Sequence, residues 1–168
     1  MSAAFSSPVA AQDVAITGAE TAGATPIQMD TGPKTIAAVM PCKNPFDAPM
    51  ASSAKMCKLG DVFFVLTFAA GEGSANSKPF QSDFDAMAEH VRTSSQTVEF
   101  NSGMLGSMKM VTATQGPDPK FGLMKAVQLA PDVVGYAVAM LQRRSGDALP
   151  EKDKERARAF IASFEVID

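Results

Sequence analysis

The chain predicts an α+β fold, an antiparallel β-sheet of about six to seven strands with two helices packed on it as an α/β/α sandwich. Three observations carry this expectation. The run Asp61–Ala70 (DVFFVLTFAA) is apolar at consecutive positions, as in a central strand covered on both faces. The stretch from Thr97 to Gln142 alternates with a period near two and is broken by short Gly and Pro turns, so its strands are antiparallel neighbours. Two segments carry apolar residues at helical spacing.

The elements follow in order along 168 residues, a length that fits one domain. Residues 1–11 (MSAAFSSPVAA) place Val9 and Ala11 at the small-residue positions of a cleavage site before Gln12, so they are expected to be the remnant of a secretory signal peptide. The other reading is an unstructured Ala/Ser tail. Residues 12–32 are rich in Ala, Thr and Gly without a sustained period, which suits a flexible N-terminal segment. The domain is then expected over residues 33–168.

Its first strand is Lys34–Met40, stopped by Pro41 and followed by a loop holding Pro45, Pro49 and Ser52. Ala54–Leu59 and Asp61–Ala70 flank Gly60 as the next two strands. A polar loop, Gly71–Pro79, leads to a helix over Ser82–Ser95, where Ser82 and Asp85 form an S-x-x-D capping pattern. Phe84, Met87, Ala88 and Val91 make its apolar stripe. Four strands follow, Thr97–Asn101, Met108–Gln115, Phe121–Ala130 and Val133–Gln142. The last helix spans Pro150–Ser163 with a stripe of Ala157, Phe160, Ile161 and Phe164, and Glu165–Asp168 is extended. Within it Glu151–Arg158 (EKDKERAR) mixes signs as a solvated helix face does.

Composition narrows the function. With 15 basic residues scattered among 18 acidic ones and a net charge of −3, no positive footprint exists for nucleic acid. No stretch reaches the ~18 apolar residues of a membrane span. Two cysteines occur, Cys42 and Cys57, at the end of one strand and the start of the next. In an exported chain they are expected to form a disulfide closing a hairpin-like geometry, the alternative being two separate buried thiols. There is no CxxC for redox or zinc chemistry.

Four features could carry chemistry. His90 is the lone histidine and lies on the boundary of its helix's apolar stripe, so a general base would have to be this residue. Ser52 begins an S-x-x-K sequence ending at Lys55, but the K-T-G partner motif is absent, and G-x-S-x-G is absent too. Gly71, Gly73 and Ser74 form a Gly-rich loop without either phosphate-binding pattern. Met104, Met108 and Met110 are close in sequence among 11 methionines, and thioethers are soft ligands suited to Cu(I), though methionine also fills core gaps. A hydrolase centred on Ser52 or His90 is therefore the weakest class, and a soft-metal binder using the Met104–Met110 segment the second. No catalytic, cofactor-binding or metal residue is assigned.

The order of elements resembles the PsbP-like fold family, named for an extrinsic subunit of photosystem II and shared by small bacterial envelope proteins. The residues that carry the resemblance are AVMP at Ala38–Pro41, the DVFFVLTFA strand, the mid-chain amphipathic helix, the strands FGLMKAVQLA and VVGYAVAML, and the closing RARAFIASFEV with Phe160, Ser163 and Phe164. The resemblance implies a non-enzymatic binding or assembly role, periplasmic or secreted, with a protein partner of the cell envelope and no cofactor. The loops Lys43–Ser53 and Gly71–Pro79, or a sheet face, are the expected contact surfaces.

Overall fold

The structure, a computed structural model, describes residues 23–47, 54–71, 80–116, 121–141 and 149–168. In chain order the elements are β1 (Thr25–Asp30), β2 (Thr35–Met40), β3 (Phe46–Asp47), β4 (Ala54–Leu59), β5 (Val62–Ala70), α1 (Phe84–Thr93), β6 (Thr97–Leu105), β7 (Met108–Gln115), β8 (Gly122–Ala130), β9 (Val133–Leu141), α2 (Glu151–Ala162) and β10 (Glu165–Ile167). A seven-stranded antiparallel sheet runs β3-β4-β5-β9-β8-β7-β6, and a second sheet of three strands runs β1-β2-β10. The fold is α+β, as the sequence predicts, but it holds two sheets where one was expected.

Strand alternation sorts the large sheet into two faces. Val62, Phe64 and Leu66 of β5, with Val133, Ala137 and Ala139 of β9, pack against β2 and α2. Val65 and Ala69, with Val134, Tyr136 and Val138, pack against α1 through Phe84 and Met87. The continuous apolar character of β5 and β9 thus reflects cover on both sides. Gly135 in β9 has a packing reason: a Cβ there would lie 3.2 Å from both Ile36 Cγ2 and Leu129 Cδ1. Glycine lets the small sheet sit close on the large one.

The α2 side is closely fastened. Phe160 is 1% exposed and meets Phe64 edge to face at 5.5 Å between ring centroids. Ser163 Oγ donates to Phe160 O at 2.6 Å and accepts from Val39 N at 2.8 Å, so one buried hydroxyl ties the helix end to β2. Lys125 Nζ donates to Phe164 O at 3.4 Å, and burial holds its pKa below the ordinary lysine value. Asp153 departs from the solvated helix face expected of Glu151–Arg158. It is 9% exposed, pairs with Arg156 at 3.3 Å, and its carboxylate covers the β4–β5 turn. Gly60 makes that turn at φ +64, and a Cβ on it would come within 3.3 Å of Asp153 Oδ2.

Cys42 and Cys57 form the expected disulfide, with Cα atoms 6.1 Å apart. Its setting differs from the expected hairpin: Cys42 follows β2 of the small sheet, whereas Cys57 lies inside β4 of the large one. The bridge joins two sheets rather than neighbouring strands.

Three further expectations shift. The segment 12–32, read as flexible, contains β1, which pairs with β2 from Thr25↔Met40 to Asp30↔Thr35; residues 1–22 lie outside the described residues. Every second residue of β1 is exposed, so its composition looks like a linker while its backbone is paired. Asp83, not Ser82, caps α1 by accepting from Ala86 N at 3.0 Å, and Ser82 Oγ instead donates to Gly71 O. The strand expected over Thr97–Asn101 continues to Leu105, passing through Gly103 and turning at Gly106.

Candidate functional site

α1 is short. It rests over β6 and β7, while the sheet beneath it is seven strands wide, so clefts open along both of its flanks. The helix is positioned by its Asp83 cap and by its entry segment, where Tyr136 Oη donates to Gln81 O at 2.5 Å and accepts from Gln81 N at 3.0 Å. Burial raises the Tyr136 pKa well above the usual phenol, with the Gln81 backbone hydrogen bond pulling the other way. Phe80 stacks edge to face on the same ring at 5.2 Å.

The larger cleft, of about 400 Å³, lies between α1 and β6. Phe84, Phe100 and Met104 supply apolar lining, and the rim charges are paired, Lys109 with Asp85 at 3.1 Å and Arg92 with Glu89 at 2.6 Å. β6 is the outer strand of its sheet and runs nine residues, so its outer backbone groups have no neighbouring strand among the described residues. Val98 and Met104 on it are 59% and 57% exposed. At the opposite end of the sheet, β3 is two residues long.

The smaller cleft, of about 220 Å³, opens on the other flank over β7, β8 and β9. Met87, His90 and Val91 of α1 line it from above, and Met124 and Met140 from the sheet. Met124 pairs with Val138 and Met140 with Gly122, so the two thioethers occupy diagonal positions on one face, next to a position without a side chain.

The residues singled out from the sequence fare differently. The register separates the Met104–Met110 group. Met104 sits opposite Lys109 and lines the α1-side cleft; Met108 and Met110 pack against the core on the other side of the sheet, and Met110 also borders that cleft beside Gly103. The three thioethers that looked adjacent do not converge, because a strand sends alternate side chains to opposite faces and the turn at Gly106 sets the pairing. His90 is exposed on the last turn of α1, and no hydrogen bond or ion pair joins its imidazole to another described residue. Ser52, Gly73 and Ser74 lie outside the described residues, as do most of the loops Lys43–Ser53 and Gly71–Pro79. The convergence of Met87, Met124 and Met140 was missed, since these residues come from three elements spread over more than 50 positions.

Among the described residues, no three His, Cys, Asp or Glu side chains group to hold a metal ion, and no helix is long and apolar enough to cross a membrane. Compared with known proteins, the chain matches no family model and no curated protein.

Proposed function

We propose that this chain is a non-enzymatic binding or assembly protein of the bacterial cell envelope, periplasmic or secreted and of PsbP-like type. It engages a protein partner by adding an extended segment of that partner to the edge of β6. One observation carries the reading: a nine-residue outer strand, bearing the exposed Val98 and Met104, runs beside a cleft under α1 lined by Phe84, Phe100 and Met104 and rimmed by charge. A strand laid on that edge would gain main-chain hydrogen bonds, and alternate side chains would enter the cleft. The disulfide is in keeping with an oxidising compartment.

The test is capture from an envelope fraction of the host by the tagged chain, in parallel with Val98→Lys and Met104→Lys variants. A lysine on an edge strand opposes strand addition and leaves the sheet itself intact. The expected result is a defined partner retained by the parent chain and lost by both variants. Equal capture by all three chains would refute the β6 edge as the contact. N-terminal sequencing of protein from the host, finding cleavage before Gln12, would support export.

A further inference from the structure

We infer that the smaller cleft is a binding site for a single soft monovalent metal ion of the Cu(I) class, held by the thioethers of Met87, Met124 and Met140 and the imidazole of His90. The inference is independent of the partner reading, which uses the opposite flank of α1.

Four observations carry it. All four side chains line one cleft of about 220 Å³, far too small for a folded partner and ample for an ion. Met87 and His90 are three residues apart on α1 and so share a helix face, Met87 buried against the sheet and His90 exposed, and both line the cleft. Met124 and Met140 are diagonal neighbours on the sheet face below, beside Gly122, where a Cβ would stand 3.4 Å from Gln115 Oε1. The imidazole is engaged by no other described residue.

The chemistry of the set selects the ion. Thioethers are soft, neutral donors that favour Cu(I), and imidazole is a common partner for copper. Hard divalent ions need carboxylate or carbonyl oxygens, and among the lining side chains the sole oxygen donor is the amide of Gln115. With neutral donors the bound ion keeps its single positive charge, which a largely apolar cleft tolerates far better than two.

The opposing explanation is that these methionines only fill an irregular gap beside the helix, which methionine does well. Ag(I) distinguishes the two, because it shares the softness of Cu(I) and needs no reductant that would open Cys42–Cys57. The intact chain would be titrated with Ag(I) in chloride-free buffer and followed by the methionine methyl signals in NMR. The expected result is saturation by one ion, with shifts at Met87, Met124 and Met140. In Met124→Leu/Met140→Leu, where leucine keeps the side-chain volume, affinity should fall by more than about tenfold, the least that losing even an outer partner of a metal ligand causes. His90→Ala should weaken it in the same direction, and Met104→Leu/Met108→Leu/Met110→Leu should leave it unchanged. Absence of saturable binding overturns the site, as does undiminished affinity in either Met124→Leu/Met140→Leu or His90→Ala while their thermal unfolding matches the parent.

Discussion

The two faces of the seven-stranded sheet are covered in opposite ways. On one, α2 and the three-stranded sheet lie across β5 and β9, the helix end is bonded to β2 through Ser163, and a disulfide ties the two sheets together. On the other, one ten-residue helix is what the described residues place over β6 and β7, with a cleft on each flank. The first face is the more closely fastened; the second leaves partly buried apolar side chains along two clefts. Division of labour of this kind is what lets a small domain present partly exposed Phe and Met side chains without losing its fold.

Substitutions can break or sharpen that contrast. The largest effect is expected on the closed side, where Phe160→Ala removes a ring that is 1% exposed and should cost about 3–5 kcal/mol in urea unfolding. A loss below that of an equivalent change under α1, such as Phe84→Ala, would reverse the assignment of the two faces. Next, Cys42→Ala/Cys57→Ala should cost about 3 kcal/mol, as expected for opening a loop closed across 15 residues. An unchanged unfolding midpoint would mean the sheets hold together without the bridge.

On the open side, Tyr136→Phe leaves the Gln81 N–H and C=O without their partner and should cost about 1–3 kcal/mol. Asp83→Ala removes the α1 cap for about 1 kcal/mol, read from the same unfolding curves. Both should loosen α1 and enhance amide exchange there before it rises in α2. Exchange rising first in α2 would contradict the contrast.

The smallest effect is electrostatic. Burial lowers the Lys125 pKa in the folded chain, so the unfolded chain binds more protons between that value and the ordinary lysine pKa near 10.5. Stability from this group therefore increases as pH rises through that window, and the cost of its buried charge is present in full below it. Compared with Lys125→Met, the parent should gain stability between neutral pH and about pH 10. A parent that loses ground to the variant over this interval would contradict the burial of Lys125.

What the sequence reveals depends on how far apart the interacting residues lie. β4 matches its expected span, Ala54–Leu59, and so does β7, Met108–Gln115, because hairpin turns and alternation are local signals. The stripe Phe84, Met87, Ala88 and Val91 is likewise local, and its first two members are the buried ones. β1 was not legible, since TPIQMD sits in an Ala/Thr/Gly-rich stretch and is half-buried on one side of its pleat and exposed on the other. Asp153 was not legible either: its burial depends on a glycine more than 90 residues earlier. The candidate ion site shows the limit most clearly. Proximity in sequence pointed to Met104, Met108 and Met110, which pairing distributes over two faces, while the thioethers that meet come from α1, β8 and β9.

β2 lies between β1 and β10, and its residues Ile36, Ala37 and Ala38 are buried. β10 contributes just three residues, helped by a contact between Lys34 and Asp168. That short strip acts as a guard rail: clipping after Phe164 would bare the uncharged rim of β2 at Thr35–Ala37, an edge suited to templating fibrous self-association. Proteolytic trimming at this end should therefore first be noticed as turbidity, before any loss of helix.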